Sequence, residues 1–196
     1  MDCVAGEVTI QENCCIWYNT VIRGDLNAVV IGEGSSIGDN TTIHTLASLG
    51  IGLMAATTIG KYVIIGSHCS LCSCIVEDEC YIGPGCTILE GARLEKGSMI
   101  TAGSVVPPGR LIPAGQVWAG NPVEYVRTMN HAELSANYTF SYIHSDLGHA
   151  HKGCFAHIPN AYLLKATTQE DLTITSDKMV DYSLGEPESI IPTKYP

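Results

Sequence analysis

The 196-residue chain is poor in charged, large aromatic and basic residues. Charged residues make up 15% of it, whereas about 25% is usual for soluble proteins. Because so little charged surface is left, we expect partners to cover much of the molecule. The net charge of −10 argues against the basic face of a nucleic-acid binder, so no nucleic-acid partner is expected. No apolar run approaches the roughly 18 residues of a membrane-spanning helix.

Glycine and β-branched residues take the place of the missing types. The chain has 20 glycines, and Ile, Val and Thr together make up a quarter of it. This composition favours short strands and tight turns over helices, and it disfavours a helical bundle or a disordered chain. The nine cysteines are odd in number and irregular in spacing, which argues against a disulfide framework and indicates a reducing compartment.

An aliphatic residue recurs every six positions for about a hundred residues. Neither a 3.6-residue helix nor simple alternation fits this period. Short strands joined by tight turns do fit, with three strands closing one coil of about 18 residues. We therefore predict an all-β parallel solenoid over residues 1–120. Its aliphatic positions are Ile10, Ile16, Ile22, Ile31, Ile37, Ile43, Ile59, Ile65, Leu71, Val76, Ile82, Ile88, Leu94, Ile100 and Val106.

Two further positions of the hexad carry a pattern. Small residues recur in the fifth position, which predicts that they fill the narrow axis where three walls converge. Four cysteines have this position and are predicted to be buried fillers rather than metal ligands: Cys14, Cys69, Cys80 and Cys86. Glycine often follows the aliphatic residue, and there we expect a corner with positive φ. These glycines are Gly32, Gly38, Gly60, Gly66 and Gly83.

The repeat stops near Pro107 and Pro108, and a different pattern follows. Within residues 121–151 we predict a C-terminal helix, from about residue 131 to residue 147, packed along the prism. Asn130 and Glu133 have the spacing of a capping box at its start. Three apolar residues at i, i+4 and i+8 are expected to face the prism: Leu134, Tyr138 and Tyr142. Residues 152–196 are predicted to form an extended tail that wraps a neighbour rather than a second domain.

Three segments resemble the γ-class carbonic anhydrase family, and the resemblance covers about residues 3–150. They are Ile16-Trp-Tyr-Asn-Thr-Val-Ile-Arg-Gly-Asp25, Ile37-Gly-Asp-Asn-Thr-Thr-Ile-His44 and Trp118-Ala-Gly-Asn-Pro122. The resemblance implies a left-handed β-helix packed as a trimer, with the C-terminal helix alongside. Family members usually open with another hexad or two. We therefore expect either a shortened protein beginning at Met1 or a missing N-terminal piece.

The resemblance also implies a zinc site, which this sequence retains only in part. Active family members bind zinc between two subunits through three histidines, two from one chain and one from its neighbour. The three family positions are occupied here by His44, Ser67 and Cys72. A catalytic zinc needs about three protein ligands and an open water position, and serine is a poor ligand. We expect no bound cofactor, unless an intact neighbour supplies a histidine and completes a hybrid zinc site with His44 and Cys72.

Other family positions carry weaker indications. His68 could replace Ser67 only by a shift of one residue, which would turn it to the opposite face of the strand. Arg23, Asp25 and Asp39 are retained and either orient an active-site network or form salt bridges at the trimer interface; the lost ligands favour salt bridges. A helix tyrosine near the family's site matches Tyr138, for which packing is an equal interpretation. Family members usually carry glutamine in place of Gly38. The histidines after the hexads are interpreted as a solvated cluster: His144, His149, His151 and His157.

Three functions remain open on this reading. The favoured one is a catalytically degenerate, non-enzymatic subunit. The resemblance then implies two γ-carbonic-anhydrase-type partners in a trimer on the matrix side of mitochondrial respiratory complex I. Membrane-arm subunits of complex I would be further partners, and membrane contact would occur only through them. No secretory signal or transit peptide is visible in the sequence. The alternatives are a zinc-dependent carbonic anhydrase with a hybrid site and a hexapeptide acyltransferase.

Overall fold

A computed structural model describes residues 3–50 and 55–154. The hexads form a three-walled, left-handed parallel β-helix, and helix α1 (His131–Cys154) follows it. The predicted solenoid is therefore confirmed. The predicted tail falls almost wholly outside the described residues.

Each wall is a stack of short strands, one from each coil. The first wall contains the first halves of β1 (Cys3–Ile10) and β3 (Val21–Ile31), then β5 (Thr42–His44), β8 (Ser70–Cys72), β11 (Thr87–Ile88) and β14 (Val105–Val106). The second wall contains the second halves of β1 and β3, then β6 (Thr57–Ile59), β9 (Ile75–Val76), β12 (Arg93–Leu94) and β15 (Leu111–Ile112).

The third wall carries the elements that end the solenoid. Its strands are β2 (Cys15–Ile16), β4 (Ser36–Ile37), β7 (Ile64–Ile65), β10 (Tyr81–Ile82), β13 (Met99–Ile100), β16 (Gln116–Ala119) and β17 (Glu124–Thr128). Strands within a wall pair in parallel, but β17 pairs antiparallel with β16. The change of direction at β17 closes the last coil and leads the chain to α1.

The core is a column of aliphatic side chains along the axis. In the third wall, Ile82 lies in register between Ile65 of the preceding coil and Ile100 of the next. The hexad aliphatics from Ile22 to Val106 are almost completely buried. The predicted filler cysteines Cys69, Cys80 and Cys86 are buried as well, while Cys14, near the end of the column, is half-buried. The period of six thus maps directly onto the packing.

The glycines after the aliphatic residues have a different role from the predicted one. Their φ angles are not positive. A Cβ on Gly66 would lie 2.5 Å from the backbone nitrogen of Pro84 in the next coil, and the other four meet a similar obstacle. They are required because successive coils approach closely. The left-handed corner falls two residues later, where Asn40 has φ 55° and His68 has φ 59°.

Helix α1 begins as the capping box predicts but presents an unexpected face. The Asn130 side chain accepts from Glu133 N and the Glu133 carboxylate accepts from Asn130 N, both at 2.9 Å. Leu134 is half-buried, but Tyr138 and Tyr142 are exposed. The predicted burial of the two tyrosines is therefore wrong, although Tyr138 still contacts the ring of Tyr62 on the prism. Asn137 and Ser141 are the buried residues. Within the described ranges, no helix is both long and apolar enough to cross a bilayer.

The helix occupies only part of the segment 121–151: it begins at His131, where its start was predicted, and runs to Cys154, past the predicted end near residue 147. Residues Glu124–Thr128 form β17 instead, because their backbone completes hydrogen bonds with β16. Arg127 on β17 then pairs with Glu133 in the first turn of α1 at 2.7 Å. This pair and the capping hydrogen bonds lower the pKa of Glu133 to about 2. The junction between strand and helix is thus held by charge as well as by backbone pairing.

Candidate metal site

Two of the three predicted site positions lie side by side. His44 ends β5 and Cys72 ends β8, and the two are register partners in the first wall. Arg23 of β3 is the register partner of His44 on its other side. His44 is half-buried and Cys72 is buried. The structure therefore brings together the imidazole and the thiol that the sequence singled out.

The thiol of Cys72 is held in its protonated form. Burial raises its pKa, and the nearby negative charge of Glu90 raises it further, while a hydrogen bond with Ser73 lowers it. Only a thiolate is a good zinc ligand. A metal at this position would therefore have to displace a proton, so its binding would strengthen as pH rises.

Ser67 lies at a different corner, between the third and first walls. Its Oγ is 3.5 Å from Asp39 Oδ2, and Asp39 Oδ1 accepts from Tyr18 N at 3.1 Å. Among residues 3–50 and 55–154, no three His, Cys, Asp or Glu side chains are grouped so as to hold a metal. The donors of one chain are thus split between the two edges of the first wall.

The residues present do not fit a catalytic zinc. Of the three family positions, two competent donors, His44 and Cys72, lie at one edge, and the position at the other edge holds only the hydroxyl of Ser67. A catalytic site needs about three protein ligands beside its open position. His68 is exposed and stands in the left-handed corner conformation beside Ser67. No catalytic step through a metal is derived for this chain.

The remaining family positions are spread over the surface. Arg23 and Asp25 form an ion pair with each other, and both side chains are well exposed. Their mutual hydrogen bond lowers the pKa of Asp25 and raises that of Arg23. At position 38, a Cβ would lie 2.5 Å from Ser67 N, so the backbone leaves no room for a side chain. Tyr138 packs edge-on against Tyr62, with ring centroids 4.8 Å apart, and lines a groove that does not include Asp39 or Ser67.

Sequence analysis grouped His144 with other histidines in a solvated cluster, but in the structure it is half-buried at the Ser67 corner. It lines a cavity of about 280 Å³ together with Asp39 and Ser67. Its Nδ1 is 3.3 Å from Ser36 Oγ, which accepts from Trp17 Nε1 at 3.0 Å. A spacing of i, i+4 and i+7 links Asn137, Ser141 and His144, and this polar stripe was the available signal. His151 instead meets the hydroxyl of Tyr18 at 3.3 Å, so these two histidines have separate partners.

The environment of His144 predicts a pH-dependent anchor for α1. Burial lowers the pKa of its imidazole. The unfolded chain therefore binds more protons than the folded one below about pH 6.5, so stability should fall as pH drops through that range. His144→Gln should flatten the dependence, measured by thermal unfolding between pH 7.5 and 5.5. An equally steep loss in the variant would contradict this assignment.

The fold places the chain in the class of hexapeptide-repeat proteins. The chain is 52% identical over 130 residues to γ carbonic anhydrase-like 1, mitochondrial, of Arabidopsis thaliana, covering 66% of this chain and 52% of that protein. It is 40% identical over 148 residues to γ carbonic anhydrase 1, mitochondrial, of the same plant, covering 76% and 54%. The chain thus spans about half the length of these curated relatives.

A solved structure supports the same class. The hexapeptide transferase family protein from Anaplasma phagocytophilum superposes with a TM-score of 0.65 and 31% identity, covering 76% of this chain and 92% of that one. No protein-family model matches the chain. The chain belongs to the γ-carbonic anhydrase family of hexapeptide-repeat proteins.

Proposed function

We propose that this chain is a catalytically degenerate, structural subunit of a trimer of γ-carbonic-anhydrase-type chains. The observation that carries the proposal is the set of residues at the three family positions: His44 and Cys72 lie together at one edge of the first wall, and the third position, at the other edge, is Ser67. In a trimer of identical chains each interface would combine two competent ligands with a hydroxyl. That set falls one ligand short of a catalytic zinc.

The proposed host is mitochondrial respiratory complex I, with the trimer on the matrix side of the inner membrane. The relatives named above are mitochondrial by name, and the assignment to complex I rests on the family resemblance. Partners would be two γ-carbonic-anhydrase-type chains and membrane-arm subunits of the complex. The low share of charged residues, 15%, suits a subunit whose surface is largely covered by partners.

A second candidate function rests on the register of His44 and Cys72. If a neighbouring chain supplies a histidine at the opposite edge, the interface would hold a His₂Cys donor set. Such a set is chemically reasonable for zinc and could support reversible hydration of carbon dioxide. The acyltransferase alternative has no comparable feature in the described residues.

Native mass spectrometry of the assembly that copurifies with the full chain tests the proposal. We expect the spectra to show heterotrimers with γ-carbonic-anhydrase-type chains, complex I subunits in the same assembly, and fewer zinc ions than interfaces between the three chains. Cys72→Ser should remove any zinc held at a hybrid interface, and Cys3→Ser, at an exposed cysteine, should not. One zinc at every interface would overturn the degenerate assignment.

A further inference from the structure

A tyrosine-lined groove lies between α1 and the prism. Its walls are the rings of Tyr62, Tyr138 and Tyr142, and the carboxylates of Glu33 and Asp146 line it as well. The cavity measures about 320 Å³, within the usual range of small-ligand pockets. None of the family's zinc-site positions line this groove.

Two of the three tyrosine rings that line this groove, those of Tyr62 and Tyr138, are held by packing. Ser141 is fully buried, and its Oγ donates to the carbonyl of Gly34 at 2.6 Å, which ties the middle of α1 to the prism. The Tyr62 ring lies against the face of Gly34, where a Cβ would come within 2.7 Å of it. Tyr138 meets the Tyr62 ring edge-on, with an interplanar angle of 64°. The aromatic surface is therefore preformed on two elements.

The charge around the groove is negative. Lys61 pairs with Glu33, with Nζ 3.3 Å from Oε2, so that this carboxylate is partly neutralised. Asp146 adds a second carboxylate on the helix side, and the chain as a whole carries a net charge of −10. An anionic ligand would meet repulsion here, whereas a cation would gain from the carboxylates.

We propose that the tyrosine groove binds an alkylammonium or guanidinium group, from a free small molecule or from a lysine or arginine side chain. The faces of aromatic rings attract cations through their quadrupole, and flanking carboxylates add to the attraction. A neutral apolar group of the same shape would gain only from burial. The groove therefore selects for positive charge, independently of the proposed structural function.

Titration of the full chain with tetramethylammonium and with Nα-acetyl-lysine methylamide tests the proposal. Binding is followed by saturation-transfer NMR, and tert-butanol serves as the neutral probe of similar shape. We expect both cationic probes, or one of them, to bind about tenfold more tightly than tert-butanol. Preference for the lysine derivative identifies a side chain as the source, and preference for tetramethylammonium identifies a free quaternary amine.

Variants locate the binding. Tyr138→Leu should weaken cation binding several-fold without disturbing the fold, because the side chain is 42% exposed and leucine suits a helix. Asp146→Asn should weaken binding of the cations and leave binding of tert-butanol unchanged. Tyr125→Leu, at a tyrosine outside the groove that is 51% exposed, is the control. The proposal is overturned if the neutral probe binds as well as the cations, or if Tyr125→Leu weakens binding as much as Tyr138→Leu.

Discussion

Replacing Ser67 with histidine should convert the purified chain, assembled with itself, from zinc-poor to zinc-loaded. In the proposed trimer the new imidazole would stand opposite His44 and Cys72 of the neighbouring chain. The donor set at each interface would then rise from two competent ligands to three, the minimum for a zinc site with an open position. We expect bound zinc to rise from well below one to roughly one ion per chain after dialysis against excess zinc, measured by atomic emission.

Two controls separate this gain from adventitious binding. Cys72→Ser in the Ser67→His background should return the zinc content to that of the unmodified chain. A histidine at exposed Ser135 on α1, away from the first wall, should add no tightly held zinc. Affinity of the Ser67→His chain should also increase with pH, because the raised pKa of Cys72 keeps its thiol protonated. Zinc loading that survives Cys72→Ser would show that the metal lies elsewhere and would contradict the proposed pairing of edges.

The fold was predictable because one period controls nearly every contact of the prism. The aliphatic residues that recur every six positions from Ile22 to Val106 are buried, and three of the four fifth-position cysteines fill the axis as expected, whereas Ile10, Ile16 and Cys14 in the first coil are more exposed. The role of the glycines was not predictable from their spacing. Both a left-handed corner and a close backbone approach select glycine, and only the structure shows that Gly66 serves the second.

The helix face shows where sequence reasoning fails. Hydrophobic periodicity placed Tyr138 and Tyr142 against the prism, but backbone carbonyls at two coil corners lie under α1. Those carbonyls need donors, which small polar side chains supply: Asn137 donates to Glu79 O and Ser141 to Gly34 O. The polar residues are therefore the buried ones, while both tyrosines are exposed and Tyr138 contacts the prism at the ring of Tyr62.

The residues of the candidate site could be predicted, but their placement at two opposite edges of the first wall could not. The resemblance to the γ-carbonic anhydrase family identified His44, Ser67 and Cys72, and the register of β5 and β8 brings the first and last together. The separation of Ser67 from them follows from the coil geometry, since the residues on either side of one strand lie at opposite corners. His144 at the Ser67 corner depends on how α1 docks, and the polar stripe on that helix was its signal in the sequence.

Ile82→Ala should lower the free energy of unfolding more than most single substitutions in the prism. Ile82 is fully buried and lies between Ile65 and Ile100 in the central column. Because the stacked coils hold their spacing through backbone hydrogen bonds, the column cannot collapse into the gap, and the cavity remains. Truncation of a buried isoleucine to alanine costs about 2–5 kcal/mol, and we expect the upper part of that range, measured by urea unfolding. Leu111→Ala on β15 removes similar apolar bulk from a side chain that is 49% exposed, so it should cost less than about 1 kcal/mol. Equal losses in the two variants would mean that burial in the column does not control stability, and the description of the core given above would have to be abandoned.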